Sequence, residues 1–306
     1  MDYKKIFKNP DTRRKILDAF SFIPDKMMLE IQYYIKQGKL LNLKKPCLYT
    51  EKLQWYKLYY KNPLLIKCVD KYEVRDYVKS KGLADILNTC YGVYDNSAQI
   101  NYKQLPHSFV LKDTIGGGSR GVIIVKEKDE IDWNTLCTKM DEWTEQSYSK
   151  RNFGREWPYY SGKKHRIIIE KFIESDPQKG GLIDYKFFCF GGEPKYLYVI
   201  ADREMGNNAG IGIYNSKFER LPYDRADERP LEREVPKPKN YERMIEIARM
   251  LSKDFPHVRV DLYNIDGNIL FGETTFYPGS GYMQFKPNEF DKVLGDAFVL
   301  PKKMKR

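Results

Sequence analysis

The apolar and polar positions of the chain show two periods, a helical one in its first third and a strand-like one over much of the remainder. Residues 1–100 read mainly as helix. In 51–60 and 70–79 the apolar side chains recur at helical spacing, and Asn62-Pro63 separates the two stretches. From 105 onward strand-like runs appear. Residues 109–112 form a short apolar run ending in Lys112, and 121–125 form a second run after a glycine-rich loop. Residues 133–148 return to helical spacing. Ile167-Ile168-Ile169 reads as an apolar strand whose polar end is Glu170-Lys171. The runs 187–190 and 196–201 flank Gly191-Gly192 as a hairpin. Residues 221–239 are charged and proline-rich, which predicts an exposed connector. Residues 240–253 predict an amphipathic helix with Met244, Ile247, Ala248 and Leu251 on one stripe. Finally, 258–265 and 269–275 flank Asp266-Gly267, a hairpin signal. The pattern as a whole is α+β, without internal repeats or low-complexity tracts.

The last hairpin carries the most chemistry. Side chains alternate along a strand, so Arg259 and Asp261 share one face, as do Glu273 and Thr275. A three-residue loop, 266–268, sets Asp261 opposite Glu273 and Arg259 opposite Thr275. A two-residue loop needs a different register. A four-residue loop, 265–268, sets Asp261 opposite Gly272 and disperses the group. Two carboxylates, a hydroxyl and an arginine on one sheet face are costly to bury unless a charged group completes them. Hard oxygen ligands suit Mg2+, which takes one or two carboxylates together with substrate phosphates. The same residues also fit a solvated charged hairpin.

A second motif points to phosphate. Lys112 is followed by Asp113-Thr114-Ile115 and then Gly116, Gly117, Gly118, Ser119 and Arg120, before the next strand. Glycines let backbone N–H groups approach phosphate oxygens. Gly116-x-Gly118-x-x-Gly121 matches the dinucleotide fingerprint in letters, but that fingerprint needs a helix after the loop and a strand follows here. No Gly-Lys-Ser/Thr closes a Walker A loop. A protein-kinase glycine loop has this strand context, yet the chain lacks His-Arg-Asp and Asp-Phe-Gly.

The ordered set resembles the ATP-grasp superfamily: Asp70-Lys71, Lys112, the glycine loop, Glu170-Lys171-Phe172-Ile173, Asp184, Arg259-x-Asp261 and Glu273-x-Thr275-x-x-Pro278-Gly279. More narrowly it resembles the TupA-like ATP-grasp proteins of bacterial teichuronopeptide and surface-polysaccharide gene clusters. The supporting stretches are Thr50-Glu-Lys-Leu-Gln-Trp55, Asp70-Lys-Tyr-Glu-Val-Arg75, Leu105-Pro-His-Ser-Phe-Val-Leu-Lys112, Asp184-Tyr-Lys-Phe-Phe-Cys-Phe-Gly-Gly192 and Gly272-Glu-Thr-Thr-Phe-Tyr-Pro278. The resemblance spans about residues 38–300 and implies two lobes whose antiparallel sheets sandwich a nucleotide. The first lobe would be 105–170 and the second 171–306, after a mainly helical region 1–104.

The resemblance also implies roles and cofactors, namely ATP and Mg2+. Lys112 would hold the α- or β-phosphate, with Lys71 close to the phosphates. Gly116 to Arg120 would close over the triphosphate. Glu170, Lys171, Phe172 and Ile173 would form the hinge that reads the adenine edge. Asp184, with Lys186 beside it, would take the ribose. Asp261, Glu273 and Thr275 would bind metal. Many ATP-grasp enzymes carry asparagine where this chain has Thr275. Arg259 would steady charge in the transition state and face the substrate, together with Gly279 and Ser280.

The implied reaction joins a carboxylate to an amine through an acyl phosphate. The partners would be an amino acid or other amine and a carboxylate-bearing sugar, nucleotide sugar or lipid-linked glycan. The alternatives are a phosphotransferase or glycosyltransferase of the same pathway, or a non-catalytic glycan-binding protein. No Asp-x-Asp metal motif supports a glycosyltransferase.

Composition narrows these choices. Aromatic residues make up 14% of 306, which argues against disorder. The five cysteines (47, 68, 90, 137, 189) have no Cys-x-x-Cys spacing, and the three histidines (107, 165, 257) form no ligand cluster in sequence. No long apolar run predicts a signal peptide or spanning helix, so the cytoplasm is expected. A net charge of +11 bunches at 4–15, 36–45 and 301–306. It fits an anionic substrate or peripheral contact with an anionic leaflet. Without a recognition motif, nucleic acid is not expected.

Overall fold

The computed structural model describes residues 20–117, 121–146, 151–176, 178, 180–202 and 209–304. Gly118, Ser119 and Arg120 lie outside the described residues, as do the basic stretch 4–15 and the last two residues of the chain.

Four helices open the described chain. Helix α1 (Asp25–Gln37) ends on Gly38, whose left-handed φ of 69° turns its N–H back onto the Tyr34 carbonyl. Helix α2 (Tyr49–Tyr59) starts where the Glu51 carboxylate accepts the Leu48 and Cys47 N–H groups at 3.1 and 2.9 Å. Pro63 then precedes the short helix α3 (Leu64–Val69), followed by α4 (Val74–Ser80).

The first sheet comprises β1 (Cys90–Tyr94), β2 (Phe109–Asp113), β3 (Val122–Val125) and β4 (Ile167–Lys171) in the antiparallel order β1-β4-β2-β3. Strand β1 falls within the stretch that reads as helical in sequence. Its partly exposed Cys-Tyr-Gly-Val-Tyr run lacks a clear alternation. In β2, Phe109 and Leu111 point inward. They share a small core with Leu136, Met140 and Trp143 of α5 (Trp133–Thr144). Val110 and Lys112 take the other face.

The second sheet is built from β5 (Asp184–Phe190), β6 (Glu193–Ala201), β7 (Gly210–Asn215), β9 (His257–Ile265) and β10 (Asn268–Thr275), in the antiparallel order β10-β9-β5-β6-β7. Between β7 and β9 lie the two-residue strand β8 (Asp224–Arg225) and helix α6 (Tyr241–Ser252). The expected stripe of α6, Met244, Ile247, Ala248 and Leu251, is fully buried on one face of this sheet. The stretch 221–239 is not a free connector. Leu231 and Val235 are buried, and β8 pairs with β11 (Phe285–Lys286).

Helix α7 (Glu289–Ala297) packs on α2, where Thr50 donates to Asp291 through both its N–H and its hydroxyl, at 2.9 and 2.8 Å. Residues of α2 to α4 share one continuous core with the second sheet. His257 fixes this junction. Its Nδ1–H donates to the Cys189 carbonyl at 2.9 Å and its Nε2 accepts the Tyr49 hydroxyl at 2.8 Å.

Candidate nucleotide and metal site

The charged hairpin forms, but by a route the residue count alone does not give. The turn between β9 and β10 is the two-residue one: Ile265 pairs with Asn268, and Asp266 and Gly267 both have positive φ, 51° and 100°. That register carries Asp261 toward Gly272, the arrangement expected to disperse the cluster. A β-bulge at Gly272 then inserts one residue, so Glu273 pairs with Asp261 and Thr275 with Arg259. A side chain at 272 would meet the Asp261 carbonyl oxygen at 3.0 Å, which is why glycine occupies the bulge.

On the sheet face opposite α6, cross-strand pairing lines up Glu273, Asp261, Lys186 and Tyr198 in one row. Arg259 grips Asp261 with two parallel bonds of 2.7 Å, and its Nη2 also donates to Thr275 Oγ1 at 3.0 Å and Glu273 Oε1 at 3.2 Å. Lys186 bonds both Asp184, at 2.6 Å, and Asp261. Burial alone would raise the Asp261 pKa, but Arg259 and Lys186 hold its carboxyl below the usual range. Burial likewise works against the charge on Arg259 and on Lys186. Asp261 outweighs it for Arg259, Asp184 and Asp261 outweigh it for Lys186, and both stay protonated.

Three carboxylates (Asp184, Asp261, Glu273) thus face two cations (Lys186, Arg259), which leaves one negative charge over. Asp261 is buried, whereas the Glu273 side chain is 46% exposed and open to a ligand. Two carboxylates and the Thr275 hydroxyl are the hard oxygen donors that Mg2+ prefers, so the residues present fit that ion. Among the described residues no group of three or more His, Cys, Asp or Glu side chains is gathered as a self-sufficient metal cage.

The first sheet carries Lys112 and Glu170. Lys112 pairs with Glu170 at 2.6 Å, and Arg75 reaches the same carboxylate at 3.4 Å. Lys171 ends β4, and Phe172 and Ile173 continue half-buried beyond it. Lys71 joins the two sheets. Its backbone N–H donates to the Thr114 carbonyl at 2.7 Å, and its Nζ reaches the carbonyls of Asp113 and Gly116 beside the glycine loop. Three residues earlier, the Cys68 carbonyl accepts the Thr274 hydroxyl of β10 at 2.8 Å. Burial lowers the Lys71 pKa, and Glu273 and Asp113 oppose that shift. Lys71 therefore lies in the field of both Asp113, at the start of the glycine loop, and Glu273.

Residues 51–299 match the family model described as TupA-like ATPgrasp. The chain belongs to this family. Its two antiparallel sheets are the lobes of the ATP-grasp fold. No curated protein matches it. Among solved structures, an L-amino acid ligase from Bacillus licheniformis is 15% identical, with a TM-score of 0.45, over 92% of this chain and 64% of that one. A D-alanine–D-alanine ligase from Bacillus anthracis is 18% identical with a TM-score of 0.43, over 69% of this chain and 57% of that one. The corresponding ligase from Helicobacter pylori is 18% identical with a TM-score of 0.41, over 78% and 60%. The chain thus spans less than two thirds of the length of each.

In this ATP-grasp chain, the loop after β10 carries Gly279 and Ser280, with φ of 54° and 51°. A buried lysine that the sequence pattern does not single out holds this loop. Lys57 of α2 donates to the Ser280 carbonyl at 2.8 Å and to the Gly154 carbonyl at 2.7 Å. Glu156 accepts the Ser280 hydroxyl at 2.6 Å and lies 4.0 Å from Lys57. The aromatic loop 152–164 is thereby tied to the Gly279-Ser280 turn. Burial pushes the Lys57 pKa down to about 7, against the pull of Glu156. Arg75 and Glu156 are likewise not singled out by the sequence pattern. The one signal for Lys57 is the aromatic residues scattered round all sides of α2, which mark a helix buried all round whose polar residues need partners.

Proposed function

We propose that this chain is an ATP- and Mg2+-dependent ligase that joins a carboxylate to an amine through an acyl phosphate. The observation that carries the reading is the row Glu273–Asp261–Lys186 with Arg259 forked across it, with Lys71 held between Asp113 at the glycine loop and the field of Glu273. This is a device for positioning and neutralising charge; no Ser or Cys nucleophile is required.

In this reading Asp261, Glu273 and Thr275 would hold Mg2+, which would supply neutralisation of the negative charge on the phosphates. Lys112 and Lys71 take the α- and β-phosphates, beside the glycine loop that starts at Gly116. Residues 170–173 read the adenine edge, and Asp184 with Lys186 takes the ribose side. The substrate carboxylate oxygen attacks the γ-phosphorus in line and ADP leaves. The amine then attacks the acyl carbon, phosphate leaves, and the amide forms. Arg259 steadies the oxygens that gain charge, and the Gly279-Ser280 turn orients the acceptor.

The finer reading rests on the family resemblance. The amine is an amino acid, and the carboxylate belongs to a uronic-acid or glutamyl group of a bacterial surface polysaccharide, on a nucleotide sugar, a lipid-linked glycan or the polymer. The net charge of +11 suits such anionic acceptors.

Hydroxylamine as a probe amine tests the reaction. Incubated with MgATP and glucuronate or galacturonate, the enzyme should yield hydroxamate and free phosphate together, and neither without the carboxylate. Phosphate retained on the sugar would instead make the chain a phosphotransferase. Nucleotide-sugar turnover without ATP would make it a glycosyltransferase.

A further inference from the structure

Helix α1 is apolar on two opposite faces. Met28, Leu29 and Tyr33 are buried against the body of the protein. On the outer side Met27, Ile31 and Tyr34, spaced i, i+4 and i+7, are 54%, 42% and 57% exposed, and Ile35 beside them is 45% exposed. Phe22, at 75%, precedes this stripe and Leu40, at 81%, follows it. Of the thirteen large hydrophobic side chains exposed among the described residues, seven fall between 20 and 40, so the exposure is concentrated and not scattered.

The stripe stands on a firm base. Gln32 donates to the Phe153 carbonyl at 2.9 Å and accepts the Tyr282 hydroxyl at 2.8 Å, and Tyr33 shares a hydrogen bond with Thr50 at 2.9 Å. Arg155 donates to the carbonyls of Ser21 and Ile23 just before the helix. These bonds fix which side of α1 faces out.

Charge chooses the occupant. Residues 20–45 carry five lysines against Asp25 and Glu30, and residues 1–19 carry six Lys and Arg against three Asp. Asp25 is already taken by Arg151 and Arg155, and Glu30 lies 4.0 Å from Lys26. Lys39, Lys44 and Lys45 are exposed in the segment that follows the helix. A second copy of this chain would set lysine against lysine between bodies that each carry +11.

We propose that this face docks onto the interface of an anionic phospholipid bilayer. Helix α1 lies in the membrane plane, with Met27, Ile31, Tyr34 and Ile35 at the headgroup–acyl boundary and the lysines at the level of the phosphates. The contact is peripheral, because no described helix is long and apolar enough to cross a membrane. It is independent of the nucleotide site.

Co-sedimentation of the full chain with phosphatidylcholine vesicles, with and without phosphatidylglycerol, tests this. The wild type should bind the anionic vesicles, bind the neutral ones much less, and lose binding as salt rises. Met27→Asp with Ile31→Asp should lower the partition at least about tenfold with the thermal midpoint unchanged. Ile31→Ser with Tyr34→Ser gives a milder pair should the first fail to fold. Three results would overturn the proposal: no binding of wild type to anionic vesicles, equal binding by the variants, or a wild-type dimer that the variants convert to monomer without vesicle binding.

Discussion

Glu273 stands opposite Asp261 because β10 is one residue out of step at Gly272. The turn sets one register and the bulge corrects it, so the carboxylate pair depends on a residue that carries no charge. Replacing Gly272 with valine forces a side chain toward the Asp261 carbonyl, 3.0 Å from the position of its Cβ, and favours the unbulged pairing. The variant should lose about 1–3 kcal/mol of stability and nearly all Mg2+-dependent nucleotide affinity. Denaturant unfolding and calorimetry measure the two effects. An unchanged affinity would show that the pairing does not form the metal site.

Lys57 is a buried lysine placed under the Gly279-Ser280 turn. Lys57→Met keeps the length of the side chain but leaves the Gly154 and Ser280 carbonyls without their donor and Glu156 without its counter-charge. It should cost about 3 kcal/mol of stability. In the ligase assay it should raise the KM for the carboxylate substrate well above any change in the KM for ATP. Equal changes in both would remove the turn from the acceptor side.

His257 gives the protein an acid-sensitive junction. Burial pushes its pKa down to about 3, while the unfolded chain titrates near the ordinary value of about 6.5. Between these values the unfolded state binds a proton that the folded state does not, so stability rises with pH across the window and falls as pH drops through it. At pH 5 the loss from this residue should be about 2 kcal/mol. His257→Gln should flatten the slope of stability between pH 4.5 and 6.5 by about one proton. An identical slope in the variant would contradict the neutral, Tyr49- and Cys189-bonded imidazole.

The sequence makes some of this legible and hides the rest for identifiable reasons. Alternation along strands is enough to group Arg259 with Asp261 and Glu273 with Thr275, because the period of two is insensitive to strand ends. The pairing across the hairpin is not legible, because counting loop residues cannot reveal a bulge; only the glycine at 272 hints at one. The stripe of α6 is readable because that helix buries a single face. Helix α2 buries nearly all of its surface, so it has no single apolar stripe against which Lys57 could be placed, and only the aromatic residues on all its sides hint at burial. Strand β1 escapes notice because an edge strand with a glycine and half-exposed side chains has no strong pattern. Lys71 can be noted in sequence, but its place between the sheets depends on contacts with Thr114 and, through Cys68, with Thr274, both distant along the chain.

Asp261 and Glu273 are assigned here to hold Mg2+ against a bound nucleotide. Titration calorimetry of ATP into the wild type and into Asp261→Ala with Glu273→Ala, with and without Mg2+, tests that assignment most directly. The wild type should bind ATP tightly only with Mg2+, and the folded double variant should lose that dependence. Equal binding by both proteins, or none by a well-folded wild type, would contradict it.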